Sequence, residues 1–166
     1  MNKIFLFIIL SFGATNAQIN TKIEGISVNA PCELEYTRNI GNQNNYSCPL
    51  QYDGNKIDNY SVTVSNLQTQ MNGLKESSLK AYKTSFLKTI EINSKAEGET
   101  TKYLKLKNGI DALSSVSYLT YGSQKFKNIS ITFLYKQKSF IINITTNNLK
   151  KNNEIVELSE RIIFNN

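Results

Sequence analysis

The chain of 166 residues contains no histidine, which removes Ser-His and Cys-His catalysis, most catalytic zinc sites and a histidine pH switch. Chemistry is left to carboxylates, tyrosine, lysine or a serine-lysine pair. Ser85 and Lys88 stand in a Ser-x-x-Lys, the spacing of penicillin-binding enzymes, but the partner motifs and the length of that fold are missing. Both residues read as exposed helix surface. Asp111, beside Gly109, is the isolated acid the sequence nominates. Glycoside hydrolysis needs a second carboxylate at a defined separation, and none is nominated here. Neither G-x-G-x-x-G nor a P-loop occurs, and no metal set or cofactor motif stands out. Tyr118, Tyr121 and Tyr135, with Lys125 and Lys127 nearby, could form a sugar-stacking or anion-binding surface, although aromatics at such positions more often pack a sheet.

Cys32 and Cys48, flanked by Pro31 and Pro49, bracket a polar segment, residues 33–47, containing Asn39, Gly41, Asn42, Asn44 and Asn45. This is poor material for a self-supporting element and reads as a loop stapled at its base. An even cysteine count in an exported chain points to a disulfide, and closing a loop of this size stabilises by about 3 kcal/mol. The alternative, a redox or metal pair, lacks both C-x-x-C and histidine partners.

The elements that must hold these residues centre on positions 109–147. Ile129, Ile131, Phe133 and Tyr135 alternate with Asn128, Ser130, Thr132 and Lys136, the period-two pattern of a half-buried strand. Phe140, Ile142 and Ile144 repeat it on the opposite numbering parity, with Ile141 the exception. Directly opposed residues of an antiparallel pair share a face. An even loop such as Lys136-Gln137 therefore sets Phe133 opposite Phe140, Ile131 opposite Ile142 and Ile129 opposite Ile144. A one-residue slip would turn one set to water. The preceding strand, residues 112–121, has Val116 and Tyr118 on one parity and Leu113, Leu119 and Tyr121 on the other, so its inward face stays open. Gly122-Ser123 supplies the turn into the next strand, and the three strands form an up-and-down meander.

Upstream, Ile26 and Val28 have strand spacing. Residues 46–52 and 57–65, separated by Asp53-Gly54, read as a hairpin. A helix starting at Ser77 or Ser78 carries Leu79, Tyr82, Phe86 and Ile90 at spacings of three and four, leaving Lys80, Lys83, Thr84 and Lys88 outside. It ends near Ile92 or Asn93 and is followed by a polar loop and a strand over 102–106. After the meander, Asn147 or Asn148 can cap a second helix bearing Ile155, Leu158 and Ile162, and residues 162–164 fit a strand at least as well.

The start of the chain has a short basic end with Lys3, an apolar run to Phe12 and small residues to Ala17. This pattern fits a signal peptide over 1–17 and leaves 18–166 as a single domain, periplasmic or secreted. The apolar run is shorter than the roughly 20 residues of a membrane span, so none is expected in the mature chain. The net charge of +6 comes from scattered cations, which is no specific signal for nucleic acid.

The element order resembles the PsbP-like family. The resemblance extends over 25–164 and is carried by 59–65, 109–112, 126–146 and 155–164. It implies an α+β fold, an antiparallel sheet with a C-terminal meander flanked by two helices in a PsbP-like sandwich. It also implies an exported accessory or binding domain, since members include noncatalytic assembly proteins, and it transfers no binding residue. The function expected is that of a noncatalytic exported binding or accessory domain, with an envelope or secreted protein or an anionic ligand as partner. A small carboxylate-dependent hydrolase and a structural envelope component are the alternatives.

Overall fold

A computed structural model describes residues 18–52, 56–150 and 154–165. The expected signal peptide over 1–17 and the expected Asp53-Gly54 turn lie outside the described residues. The fold is α+β and dominated by antiparallel sheet. The element order is β1 (Ile19–Ile23), β2 (Ile26–Ala30), β3 (Glu35–Ile40), β4 (Gln43–Tyr52), β5 (Lys56–Asn66), α1 (Gln68–Met71), α2 (Glu76–Ala96), β6 (Thr100–Lys105), β7 (Asp111–Tyr121), β8 (Gln124–Tyr135), β9 (Lys138–Thr146), α3 (Glu154–Glu160) and β10 (Ile162–Phe164).

Seven strands form one sheet in the order β3-β4-β5-β9-β8-β7-β6. It consists of two meanders joined where β5 pairs antiparallel with β9. The register across β8 and β9 is the one parity requires: Phe133 faces Phe140, Ile131 faces Ile142 and Ile129 faces Ile144. Lys136 and Gln137 make the two-residue turn, and Lys136 has a positive φ of 46°.

Both faces of this sheet are covered. Over the face bearing Phe133 and Phe140 lies a second sheet, β1-β2-β10, which the sequence reading did not foresee. Together with Leu158 of α3 its Ile23, Ile26, Val28 and Ile162 close the main core. On the other face, Leu134 meets Leu67 and Met71, with Leu79, Tyr82 and Phe86 of α2 packed alongside. This two-sided cover reaches only the first half of β7: Ala112 belongs to the main core and Leu113, of opposite parity, is also buried, whereas Tyr118, Leu119 and Tyr121 are exposed whichever face they lie on.

Three expectations need correction. Residues 33–47 are not a loop: β3 and β4 pair through them as a hairpin, with Ile40 opposite Gln43 and Gly41-Asn42 as the turn. Gly41 has φ 62° and Asn42 no positive φ, the pattern of a II′ turn, which puts Gly first. Cross-strand contacts replace the missing apolar alternation: Asn39 Nδ2 donates to Asn44 Oδ1 at 2.8 Å and the Tyr36 and Tyr46 rings meet edge-on at 5.7 Å. The hairpin is also pinned from outside. The Glu24 carboxylate accepts hydrogen bonds from Asn44 Nδ2 at 2.7 Å and Tyr46 Oη at 3.2 Å, and pairs with Lys138 Nζ at 2.7 Å. Burial pushes the Glu24 carboxyl up, but the bonds from Lys138 and Asn44 outweigh it and the net shift is downward.

Second, α2 starts at Glu76 and runs on to Ala96, and Lys75 at its N-cap makes no side-chain cap bond. Third, Asn147 does not cap a helix. Its backbone N–H donates to the Ile57 carbonyl at 3.2 Å and its Oδ1 accepts from the Ile57 N–H at 2.9 Å, so it extends the β5–β9 ladder. The last helix is confined to α3, and Ile162 leaves it for β10, where it faces Val28.

Candidate functional site

Helix α2 crosses the sheet face next to β6, β7 and β8, and between them lies a cleft of about 830 Å³. Lys80, Lys83, Thr84, Leu87 and Lys88 line it from the helix. Their spacing of i, i+3, i+4, i+7 and i+8 places them on one helical face. From the sheet come Tyr103 of β6, the 108–110 turn, Asp111 at the start of β7, and Leu134, Tyr135 and Lys136 at the end of β8 and its turn. Gly109 takes φ 73° in the 108–110 turn, and the turn is closed by Leu106 N–H to Ile110 O at 2.9 Å and Gly109 N–H to Leu106 O at 2.8 Å.

The cleft has an apolar floor and a basic rim. Leu87 and Leu134 are buried and Ile110 is half-buried. Tyr135 and Lys136 border the cleft at the end of β8, but their side chains turn to the opposite face. The Tyr135 hydroxyl donates to the Asn165 carbonyl at 3.0 Å, and its ring meets Phe164 of the small sheet edge-on at 4.9 Å. The Lys136 ammonium donates to the same carbonyl at 3.2 Å, 5.2 Å from the Tyr135 ring centroid. Lys80 and Lys83 are exposed and have no carboxylate partner among the described residues.

The two remaining charged liners are already compensated. Lys88 Nζ lies 2.8 Å from Glu91 Oε2. Asp111 Oδ1 lies 2.7 Å from Lys105 Nζ, with side chains 69% and 70% exposed, a pair solvent makes nearly neutral in energy. Lys80 and Lys83 thus leave an excess of positive charge over an apolar floor, an arrangement that attracts anions.

Glu91 anchors the wall. Its carboxylate takes Lys88, Lys95 at 2.6 Å and the Tyr103 hydroxyl at 3.1 Å, tying α2 to β6. The hydrogen bonds from Lys88 and Lys95 hold its carboxyl at about 2 against an ordinary 4.5, while burial and the Glu91 contact push the Tyr103 phenol up. A carboxylate whose pKa is lower in the folded state stabilises fully above its unfolded value and loses that contribution as pH falls through the folded one. Glu91→Gln should therefore weaken the fold at neutral pH and flatten the acid destabilisation between about pH 4.5 and 2. Urea melts at pH 7 and pH 2.5 check this. An unchanged difference between the two pH values would mean Glu91 carries none of it.

The residues nominated from sequence are dispersed. Asp111 and Tyr135 both line the cleft. Tyr118, opposite Lys127, and Lys125, opposite Thr120, lie on the far β7–β8 hairpin. Lys127 is eight residues from Tyr135 along β8, about 26 Å at the rise of a strand. Tyr121 pairs with Gln124 at that hairpin's tip, on the opposite face from Tyr118. Of Ser85 and Lys88, only Lys88 lines the cleft, and its ammonium is held by Glu91 at 2.8 Å. Cys32 and Cys48 are bonded to each other, with Cys48 buried in the main core and Cys32 packed against it. Lys80, Lys83 and Lys88, set aside from sequence as the helix's outer face, are the liners that reading missed. Their recurrence at three to five residues around Leu87 was the available signal.

Among the described residues no helix is long and apolar enough to cross a membrane. No protein-family model matches the chain, and a search of curated proteins finds no match.

Proposed function

We propose that the protein is a noncatalytic exported binding domain that takes an anionic ligand in the cleft between α2 and the β6–β8 end of the sheet. The observation that carries this reading is the pairing pattern of the charged liners. Glu91 and Lys105 occupy Lys88 and Asp111, whereas Lys80 and Lys83, one helical turn apart, line the cleft with no carboxylate partner among the described residues. The volume suits a small-molecule site, in the range of about 300 to 1,000 Å³. The cystine supports export, because such bonds persist in oxidising compartments. The hydrolase alternative requires a second carboxylate facing Asp111, and the other lining residues are lysines, tyrosines, apolar side chains, Thr84, Asn108 and Gly109.

Charge reversal tests the reading. Acetate and sulfate should give saturable chemical-shift titrations in the millimolar range, and Lys80→Glu with Lys83→Glu should weaken both at least tenfold while leaving the melting temperature within a few degrees. Both lysines are exposed, and exposed substitutions of this kind usually move stability by about 0.5 kcal/mol or less. Equal titration of the double variant and the parent would refute the anion site. Amino-terminal sequencing of the exported protein should find residues 1–17 removed, and recovery of Met1 would refute the export half.

A further inference from the structure

The identity of the ligand can be narrowed from the walls of the same cleft. A site for a bare inorganic anion would be lined by donors. This one sets Lys80 and Lys83 along the rim of an apolar surface formed by Leu87, Ile110 and Leu134. Leu134 and Leu87 are only 4% and 5% exposed, so they form a firm floor.

Resting on the binding reading above, we infer that the cleft takes a soluble amphipathic anion. Its single carboxylate, sulfonate or phosphate head meets Lys80 and Lys83, and its aliphatic or aromatic body lies on Leu87, Ile110 and Leu134. Neither half suffices. The exposed ammonium groups bind a small anion weakly in water because the Coulomb term is screened, and the floor alone gives no orientation. Each fully buried methylene is worth roughly fourfold in affinity.

Three probes separate this inference from the reading beneath it. Acetate supplies the head, octanol the body and octanoate both. Octanoate carries six methylenes more than acetate, and with three of them buried it should bind about sixty-fold more tightly. Octanol should bind at least tenfold more weakly than octanoate, and Lys80→Glu with Lys83→Glu should reduce octanoate to the level of octanol. If acetate and octanoate bind equally, the anion site stands and the amphipathic inference falls. If neither saturates, both fall. If octanol matches octanoate, the lysines are irrelevant to the site and both fall again. Sedimentation with phosphatidylglycerol vesicles distinguishes the source of the head group. The protein should stay in the supernatant, and cosedimentation abolished by the same double variant would assign the cleft to a bilayer lipid and overturn the soluble ligand.

Discussion

Phe133→Ala and Phe140→Ala should each lower the unfolding free energy by about 3 to 5 kcal/mol, the usual cost of deleting a buried phenylalanine ring. Both side chains have no solvent exposure, and their rings stack across β8 and β9 with centroids 5.2 Å apart and planes 10° from parallel. Phe164 closes on Phe133 edge-on at 5.6 Å, from the small sheet. Either truncation therefore opens a cavity between the two sheets, and the loss is a large share of the 5 to 15 kcal/mol that holds a typical domain. Because the rings touch, the double variant should cost less than the sum of the single ones, by roughly 0.5 to 1.5 kcal/mol for the aromatic pair. Thr132, on the opposite parity, is no mild control, since its face is covered too and it is buried. Thr120, exposed near the β7–β8 tip, is the proper comparison and should cost under about 0.5 kcal/mol as alanine. Urea melts that placed all three variants together would contradict the register of the central strands.

Removing the cystine should have the next largest effect. Cys32 and Cys48 are 16 positions apart, and Cys48 is buried in the main core. Cross-linking a loop of that length removes unfolded-state entropy worth about 3 kcal/mol. Replacing both cysteines by alanine should lose about that much, and the first strand pairing to loosen should be β3 on β4. Strand β3 is an edge strand, exposed along its length, with β4 as its sole sheet neighbour among the described residues. Urea midpoints give the total, and hydrogen exchange at the β3 amides gives its location. A double variant with an unchanged midpoint would show that the β3–β4 pairing and the Glu24 contacts suffice alone. Thiol labelling of the denatured, unreduced protein should find no free cysteine.

The strands that alternate cleanly were legible because a shift of one residue exposes an entire apolar set, and β8 and β9 leave no second register. The β3–β4 hairpin was not legible, since Asn and Gly provide little strand propensity and its support comes from Glu24 and Lys138, distant in sequence. The Gly41-Asn42 dipeptide was the local sign of a turn. The β7 strand left its inward face undecided for a physical reason, because its first half is buried on both sides and its second half, with Tyr118, Leu119 and Tyr121, is exposed on both. Helix α2 was recognised, but its deepest side chains are Leu87 and Glu91, beside the expected stripe of Leu79, Tyr82, Phe86 and Ile90. Periodicity gives a face and not the angle at which a helix lies on a sheet. The cleft depends on that angle. It draws on residues 80–88, 103–111 and 134–136, and from sequence Asp111 and Tyr135 could be named only singly.

The location of a bound amphipathic anion is the most direct test of the account. Intermolecular nuclear Overhauser contacts from the octanoate chain should reach the methyl groups of Leu87, Ile110 and Leu134. They should be absent at Leu119, which is exposed on the distal hairpin beside Tyr121 and offers the competing apolar surface. Contacts confined to Leu119, or none at the cleft methyls under saturating octanoate, would contradict it.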